Sequence, residues 1–440
     1  MGEVEAIGSH VFMGGMTRGI MEALDVHAQY EVFNLGELTV EHNYKMPFYQ
    51  ANDPNDWYDV LKSQPKHDQA HVLYGNPRCT GFSKLGHGCS EDAHGAWARP
   101  TIDIRQLCWL KSIMSGPDGK GPLVWGFESV QDAATVGRDL LDLIHEQYGQ
   151  GYRRAELFHN AAQFGNAQHR RRVIFLWYRP EISLPVEEIT EEWLWRGPHV
   201  TTGQALRGEA SYAGLMDLWD IPALPLKSLN GFDTIDKLEI HSPWVDFPQA
   251  TLQDGTPAPI KARPVLNHHY SDQYCTYMDA SLKLPVLEGR SLNHVPEEVL
   301  QDGGFDELAE KKSFGISFSW HAPRRLHRDG ACPVIYSASG KFIHPKGDRP
   351  MSVRDLARIM GFDDEFAVLG PDPIAQLGKG LCVHVGRWLG HLIKHAVDGT
   401  TKRKIDPGHD FEQFRLDTDY GWTPKKPKIE RGRWEEEDED

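Results

Sequence analysis

Four residues of the chain have side chains suited to nucleophilic and acid–base chemistry. Cys79 stands in the turn Tyr74-Gly-Asn-Pro-Arg-Cys-Thr-Gly-Phe-Ser83, Glu128 follows an apolar run, and Arg170 and Arg172 belong to a compact basic cluster. A cysteine attacks as its thiolate, which nearby cations stabilise, and a carboxyl held on an apolar strand can have a raised pKa. These types predict a nucleophile, an acid and two supporting cations. A buried structural thiol, a surface acid and a solvated basic strand end are the alternatives.

The turn around Cys79 follows a short apolar segment, Ala70-His-Val-Leu-Tyr74, which is typical of a buried strand. Gly75 and Pro77 should end that strand abruptly. A side chain in the turn would then project from the carboxyl end of a sheet, where α/β folds place their ligands. The position of Cys79 therefore favours a functional role over a packing role.

The first 40 residues predict two strands that lead into ligand-binding turns. A strand over Glu5–Phe12 runs into the glycine-rich turn Met13–Gly19, and helical spacing continues over Ile20–Leu24. Such glycines let a backbone approach a nucleotide-like ligand, although many Gly-Gly turns bind nothing. A second apolar run, Tyr30–Leu35, precedes Glu37. A carboxylate at the end of the second strand is where doubly wound folds bind ribose hydroxyls, and an exposed surface glutamate is the alternative.

Strands and helices continue to alternate over the first ~180 residues, which predicts an α/β fold with a doubly wound, mostly parallel sheet. Further strands are predicted over Pro122–Phe127, Ala155–Phe158 and Val173–Trp177, and helices over Ile102–Met114 and Asp132–Tyr148.

Periodicity is poor from about 181 to 340, where prolines are frequent and aromatic and histidine residues are scattered, so a separate, irregular domain is predicted there. Regularity returns with a helix that Ser352 should cap and Gly361 should end. The last predicted helix is Gly386–Val397. We therefore divide the chain into a catalytic domain (1–190), a second domain (191–340), a return to the catalytic domain (341–400) and an acidic, disordered tail (401–440).

Composition is that of a soluble globular protein: 440 residues, 40% hydrophobic and 25% charged. The start has no signal-peptide pattern and no run is long enough to span a bilayer, so we expect a cytoplasmic protein without a membrane partner. The six cysteines form no Cys-x-x-Cys pair, so we expect neither a metal site nor structural disulfides. A formal net charge of −16 excludes a histone-like wrapper and requires any nucleic acid to meet locally clustered cations.

Taken in order, these segments resemble the cytosine-5 DNA methyltransferase family over nearly the whole chain, the tail excepted. The Cys79 turn matches the family's Pro-Cys nucleophile loop, and Glu128-Ser-Val130 matches Glu-Asn-Val. Asn160–Val173 is similar to the segment Asn-Ala-Ala…Tyr-Gly…Pro-Gln-x-Arg-x-Arg-Val. Arg324–Phe362 looks like the segment that closes the recognition domain, and Gln376–Gly380 looks like the last motif.

The resemblance implies a Rossmann-like, S-adenosylmethionine-dependent methyltransferase fold with a smaller target-recognition domain at 191–340. Cys79 would add to carbon 6 of cytosine, making carbon 5 able to attack a sulfonium methyl group. Glu128 would bind the N3/N4 edge, while Arg172, with Arg170 behind it, would hold the base O2 and add positive charge near the thiolate. The partner would be double-stranded DNA, with the target base flipped out of the stack. In a bacterial or viral setting the protein would be nucleoid-associated. We expect a monomer.

The resemblance also implies a pocket for S-adenosylmethionine. Gly14, Gly15 and Gly19 would surround its amino acid part, Glu37 would bind the ribose, and Asp53 or Asp56 would face the adenine. Phe12, Pro77 and Lys379 complete the implied cofactor residues.

The chain departs from the family pattern mostly around that pocket. Counted back from Gly15, His10 stands at the position of the family's phenylalanine and Phe12 at its first glycine; a shorter turn with Phe12 as the aromatic fits equally. Further departures from the family's residues are Arg78 and Ala167 for prolines, Thr80 for a glutamine, and Ser129 and Lys379 for asparagines.

Two alternatives to a DNA methyltransferase stay open on sequence alone. The same scaffold could act on RNA cytosine or use a modified sulfonium donor, or the chain could be a degenerate homologue that only binds DNA. The target sequence and the biological role, as a restriction partner, an orphan enzyme or a viral self-protection enzyme, are not encoded in any motif.

Overall fold

The protein is represented by a computed structural model that describes residues 3–33, 35–51, 55–79, 82, 98–207, 280–281, 283–284, 286–315, 322–336, 342–369, 373–399 and 411–415. The chain divides into two compact units. The sheet unit comprises residues 1–166, 170–197 and 379–422, and the insert unit comprises 167–169, 198–378 and 423–440. The predicted domain boundaries at 190, 340 and 400 stay predictions.

The sheet unit is built on one eight-stranded sheet in the order β3-β2-β1-β4-β5-β7-β6-β10. All neighbouring strands are parallel except β7, which runs antiparallel to both β5 and β6. The strands of the chain are β1 Glu5–Ser9, β2 Asp25–Glu31, β3 Phe48–Gln50, β4 Val72–Gly75, β5 Val124–Ser129, β6 Arg153–Asn160, β7 Arg171–Tyr178, β8 Arg324–Arg325, β9 Phe342–Ile343 and β10 Phe411–Arg415. The expected Rossmann-like α/β fold with a mostly parallel sheet is confirmed.

Helices connect the parallel strands, as the alternating pattern predicted. They are α1 Gly15–Ile20, α2 Glu37–Tyr44, α3 Asp56–Ser63, α4 Pro65–Asp68, α5 Ala98–Ile113, α6 Ala133–Val136, α7 Arg138–Tyr148, α8 Val186–Trp193, α9 Thr202–Arg207, α10 Glu297–Asp302, α11 Asp306–Ser313, α12 Val353–Met360, α13 Pro373–Lys379 and α14 Val383–Val397. None of the helices in the described ranges is both long and apolar enough to cross a bilayer.

The main core lies between the sheet and helices α3, α5 and α7, whose apolar side chains are buried against the strands. Trp125 on β5 and Trp177 on β7 face each other in register, and their rings stack with centroids 4.3 Å apart. Such aromatic pairs contribute about 0.5–1.5 kcal/mol beyond the area they bury. The core therefore fixes the two antiparallel strands that carry Glu128 and Arg172.

Helices α1 and α14 pack so closely that glycine is required at their crossing. A Cβ atom on Gly19 would lie 2.2 Å from the carbonyl oxygen of Val383 and 2.3 Å from the backbone nitrogen of Arg387. Gly386 approaches α1 equally closely, since its Cβ would lie 2.6 Å from the Met16 carbonyl oxygen. This contact joins the amino-terminal turn to the last helix within the sheet unit.

Several predicted boundaries hold and others do not: β1 ends at Ser9 and not at Phe12, and α1 covers Gly15–Ile20 and not the predicted Ile20–Leu24. Ser352 caps α12 through its side chain, and Gly361 ends that helix with a left-handed backbone, φ 94°. The second strand, in contrast, ends at Glu31 and not at Leu35, because its pairing with β1 and β3 covers residues 25–31. Of the tail predicted to be disordered, residues 411–415 form strand β10 beside β6, and the remainder lies outside the described residues.

The insert unit has its own small apolar core, formed by Leu284, Leu292, Leu300 and Leu308 with their neighbours. The short strands β8 and β9 pair in parallel within it. The aromatic and histidine residues between Trp219 and Tyr274 lie outside the described residues. That the domain 191–340 recognises the DNA target stays a prediction.

Candidate active site

The turn that carries Cys79 begins where β4 passes beneath helix α5. Gly75 ends the strand, and a Cβ atom there would lie 2.1 Å from Leu107 Cδ1 and 2.9 Å from the Ser9 carbonyl oxygen. The next residue, Asn76, donates its backbone N–H to Ser9 O at 3.2 Å. The chain therefore leaves the sheet along a fixed path, and Pro77 is buried within it. Cys79 itself remains partly exposed.

Glu128 and Arg172 meet above neighbouring strands. Glu128 lies near the end of β5, Arg172 lies near the start of β7, and the two strands pair so that Ser129 is opposite Val173. Arg172 Nε is 3.0 Å from Glu128 Oε1, and the two side chains are 12% and 2% exposed. An ion pair this sheltered from water is screened far less than a surface pair.

Arg170 is positioned by a backbone bracket around Asn160. The Asn160 side chain accepts the backbone N–H of Arg170 at 3.1 Å, and Ala161 N–H donates to the Arg170 carbonyl at 3.0 Å. Asn160 also forms a capping box with Gln163 at the start of a short 3₁₀ helix, Ala161–Phe164. This is the structural reason for the Asn-Ala-Ala-Gln sequence. Burial lowers the pKa of Arg170 to about 10, which still leaves it charged at neutral pH.

The charges of Cys79, Glu128, Arg170 and Arg172 act on one another. Burial raises the pKa of the Cys79 thiol, and the negative charge of Glu128 raises it further. The positive charges of Arg172 and Arg170 lower it. Burial also raises the pKa of Glu128, against the pull of the two arginines. The structure thus brings together all four residues that the sequence singled out for catalysis.

The turn after β1 holds its backbone in unusual conformations. His10 and Phe12 have φ angles of 58° and 53°, in the left-handed region that costs a residue other than glycine of order 1 kcal/mol or more. Glu31, at the end of β2, compensates by accepting the N–H groups of Val11 at 2.6 Å and Phe12 at 3.1 Å. Phe12 is buried and has the left-handed backbone that glycine adopts most readily.

Glu31 has the chemistry of a ligand group that the sequence analysis did not identify. Its Oε1 atom binds the turn, while Oε2 is buried and has no hydrogen-bond partner among the described residues. Burial raises the pKa of this carboxyl well above its ordinary value. A buried oxygen without a partner at the end of the second strand fits a hydroxyl donor such as a ribose. The apolar run Tyr30–Leu35 predicts that the second strand ends four residues after Glu31. A strand predicted to end at Glu31 would have identified this carboxylate as the ligand candidate.

The other residues that the family resemblance assigns to the cofactor pocket lie on several different elements. Glu37 is the first residue of α2, and Gly15 is the first residue of α1. Gly14 has φ 77° and packs against Gln29 and Tyr44. Gly19 lies at the crossing with α14, as described above. Asp53 lies outside the described residues, and its alternative Asp56 begins α3.

Lys379, the last residue of α13, is linked to both turns. Its carbonyl accepts the Asn76 side-chain amide at 2.8 Å, and its Nζ atom lies 5.2 Å from the centroid of the Phe12 ring. A cation over an aromatic ring at this distance is attracted to the ring face. An ammonium group therefore stands at the amino-terminal turn, where the resembled family has a neutral asparagine.

The described cysteines Cys79, Cys108, Cys332 and Cys382 are all free thiols. Cys382 deserves comparison with Cys79 because Arg170, Arg172 and Glu128 act on both. Burial raises the pKa of Cys382 to about 12, and it is fully buried at the start of α14. Of the two residues, only Cys79 is partly exposed. Within the described residues, no cluster of histidine, cysteine and carboxylate side chains could hold a metal ion.

Known proteins similar to this chain are methyltransferases. The chain is 24% identical over 360 residues, 76% of its length, to DNA (cytosine-5)-methyltransferase 4 of Arabidopsis thaliana, and 23% identical over 290 residues, 56% of its length, to DNA (cytosine-5)-methyltransferase CMT3 of the same plant. The matches span 22% and 34% of those longer proteins. No protein-family model matches the chain.

A solved structure shares the fold. A prophage-encoded protein from E. coli, described as a DNA modification methyltransferase, superposes with a TM-score of 0.56 at 16% sequence identity, covering 90% of this chain and 99% of its own. At this identity the likeness establishes the fold. The expected resemblance, that of a divergent relative, is confirmed by the sequence matches and this fold together.

Proposed function

We propose, from the premise that this chain is a divergent relative of the cytosine-5 DNA methyltransferases, that it methylates carbon 5 of cytosine in double-stranded DNA. The observation that carries the proposal is the meeting of Cys79, Glu128, Arg170 and Arg172 in one electrostatic cluster. A thiol, a buried carboxyl and two guanidinium groups are the set that activating an aromatic ring by covalent addition requires.

Cys79 is the nucleophile in this proposal. Its Sγ atom forms a bond to carbon 6 of the base, and the electron pair of the 5,6 double bond moves into the ring to give an enamine. Arg172 and Arg170 lower the pKa of the thiol and so raise the fraction of thiolate. Once carbon 5 carries the methyl group, its proton passes to water, and the electron pair of that C–H bond re-forms the 5,6 double bond as the thiolate leaves carbon 6.

Glu128 holds the polar edge of the base. Burial raises its pKa, so the carboxyl holds a proton more readily and can pass it towards N3 as negative charge develops there. Arg172 keeps the carboxyl in place through the 3.0 Å contact of Nε with Oε1 and offers its remaining N–H groups to the base oxygen O2. Two roles, positioning and charge stabilisation, are thus combined in one ion pair.

The donor we propose is S-adenosylmethionine, which when bound supplies an electrophilic methyl group. The unpartnered oxygen of Glu31 supports the fit because a ribose hydroxyl would satisfy it. Glu37 is the alternative carboxylate for the same role. Gly14 and Gly15 in the turn, together with Phe12, Pro77 and Lys379, would line the rest of the pocket. Asp53 or Asp56 remains our proposal for the adenine edge.

The substrate requires that the base leave the helix, because carbon 6 is covered inside the duplex stack. We propose that the insert unit contacts the DNA and that the protein acts as a monomer. Incubation of unmethylated DNA with the protein and S-adenosylmethionine, followed by nucleoside mass spectrometry, tests the activity. We expect 5-methylcytosine. Its absence from every DNA offered to a folded protein would contradict the proposal.

A modified sulfonium donor is a second candidate, and the Lys379 ammonium over Phe12 is the observation that favours it. A cation in place of a neutral amide would suit a donor that carries an additional negative group. Mass spectrometry of the small molecules that copurify with the protein separates the two. Plain S-adenosylmethionine or its demethylated product would count against the modified donor.

A further inference from the structure

The carboxylate of Asp103 holds both the side chain and the backbone of Arg78, the residue that precedes Cys79. Arg78 Nε lies 2.6 Å from Asp103 Oδ2 and Arg78 Nη2 lies 2.6 Å from Oδ1, while the Arg78 backbone N–H donates to Oδ2 at 3.2 Å. The Asp103 side chain is 1% exposed and that of Arg78 is 24% exposed. A sheltered, bidentate pair of this kind is among the strong and directional contacts available to a protein.

Asp103 belongs to a face of α5 that contacts both turns of the candidate site. Gln106 and Leu107, three and four residues further along, lie on the same face of the helix. The Gln106 side-chain oxygen is 3.2 Å from His10 Nε2. Leu107 packs closely against Gly75, at the end of β4. Helix α5 therefore braces the turn after β1, the end of β4 and the turn that carries Cys79.

The charge of Arg78 is directed away from the thiol. The cations that lower the pKa of Cys79 are Arg172 and Arg170. Arg78 instead pairs with Asp103 and places its guanidinium carbon 4.6 Å from the centroid of the Phe33 ring. Its contribution is therefore to the position of the backbone at Cys79 and not to the ionisation of the thiol.

We propose that Asp103 is a positioning residue for Cys79 and that it acts through Arg78. In the resembled family a proline stands at the position of Arg78, and its ring restricts the backbone before the nucleophile. Here the restriction comes from three hydrogen bonds to one buried carboxylate. The attack on cytosine for which Cys79 would be positioned rests on the proposed function. The restraint of the Arg78 backbone by Asp103 does not.

The test compares the wild-type protein with Asp103→Asn in three measurements. The Arg78 amide should exchange hydrogen at least about 10-fold faster in the variant. Covalent adduct formation on 5-fluorocytosine DNA should slow about 10- to 100-fold, the cost of a nucleophile held in the wrong place. The pH midpoint of Cys79 alkylation by iodoacetamide should not rise, so that slower adduct formation cannot be attributed to a less ionised thiol. Unchanged amide exchange, an unchanged adduct rate, or a midpoint that rises would each overturn the proposal.

A matched control and a rescue complete the design. Glu156 makes a similar bidentate pair with Arg138, with contacts of 2.6 and 3.1 Å, and its side chain is buried like that of Asp103, so Glu156→Gln removes an equivalent charge pair and should leave the adduct rate within about 3-fold of wild type. Arg78→Pro in the Asp103→Asn background should restore most of the adduct rate, because proline supplies the restraint without needing a carboxylate. An equal loss in the control or no recovery in the double variant would contradict the assignment.

Failure of the proposed function has a different signature. A wild-type protein that forms no adduct on any DNA would refute the function, while amide exchange at Arg78 would still decide the role of Asp103. Should Asp103→Asn fail to fold, Arg78→Lys gives the same test, because a single ammonium cannot reproduce the two-pronged contact. Amide exchange and adduct formation as in wild type would then overturn the proposal.

Discussion

Glu128 and Arg172 form an ion pair across two antiparallel strands, with Arg172 Nε 3.0 Å from Glu128 Oε1 and both side chains largely sheltered from water. The two residues are far apart in sequence, and the register of β5 with β7 alone brings them together. Cys79, on the loop after β4, responds to the charge of both. The Glu128–Arg172 pair therefore influences the pKa of the Cys79 thiol, and Arg172 influences the pKa of the Glu128 carboxyl.

Replacement of Arg172 by glutamine should weaken the nucleophile. Arg172 is the largest of the influences that lower the pKa of Cys79, so its loss should raise that pKa and shift the pH profile of thiol alkylation upward. Adduct formation should fall on the order of 100-fold. Arg171→Gln is the matched control, since its side chain is exposed on the same strand. A profile that moves equally in both variants would contradict the role of Arg172.

Replacement of Glu31 by glutamine should stabilise the folded protein at neutral pH and weaken nucleoside binding. The folded-state pKa of Glu31 is raised above its ordinary 4.5, so the folded protein binds the proton more tightly than the unfolded chain. The stability that this proton contributes is fully present below pH 4.5 and is lost as pH rises through the folded-state pKa. Glutamine does not titrate, so its advantage in Tm over wild type should grow between pH 5 and pH 8.

The affinity for S-adenosylmethionine of the same variant, measured by calorimetry, should fall about 10-fold if Glu31 binds the ribose. Glu37→Gln provides the comparison because the two carboxylates are the rival candidates for this role. A loss confined to Glu37→Gln would assign the ribose to Glu37, and a Tm difference that shrinks as pH rises would contradict the raised pKa of Glu31.

Replacement of Gly19 by alanine should destabilise the sheet unit, because the added methyl group would collide with the backbone of α14 at Val383 and Arg387. Overpacking of this kind costs about 1–3 kcal/mol in the free energy of unfolding. Gly330→Ala is the control, as a Cβ there meets its nearest neighbour at 3.4 Å. Chemical denaturation measures both. Normal stability with weakened cofactor binding in Gly19→Ala would instead support the cofactor role that the family resemblance implies.

Much of the sheet was predictable from local patterns. The strands before Cys79 and Glu128 and the capped helix α12 follow from apolar runs bounded by Gly, Pro and Ser, signals that lie within a few residues of one another. The end of β2 was misplaced because Val32 and Phe33 continue an apolar run, while the pairing partners that end the strand are distant in sequence.

The contacts that complete the site depend on tertiary structure. In the sequence, Asp103 looks like an ordinary polar residue of an amphipathic helix. Its partner Arg78 is noticeable only as a departure from the Pro-Cys motif of the resembled family. Nothing local signals that one neutralises the other. Strand β10 escaped prediction for a similar reason: a charged segment becomes a strand through its pairing with β6.

Covalent trapping on DNA that contains 5-fluorocytosine tests the central claim most directly, because fluorine at carbon 5 blocks release of the thiolate. Peptide mapping of the trapped complex should place the DNA on Cys79, and Cys79→Ala should form no adduct. Cys382→Ala removes the buried thiol on which Arg170, Arg172 and Glu128 also act. This variant should still form the adduct. A wild-type protein that forms no adduct in the presence of S-adenosylmethionine, or an adduct that persists in Cys79→Ala, would contradict the assignment of Cys79 as the nucleophile.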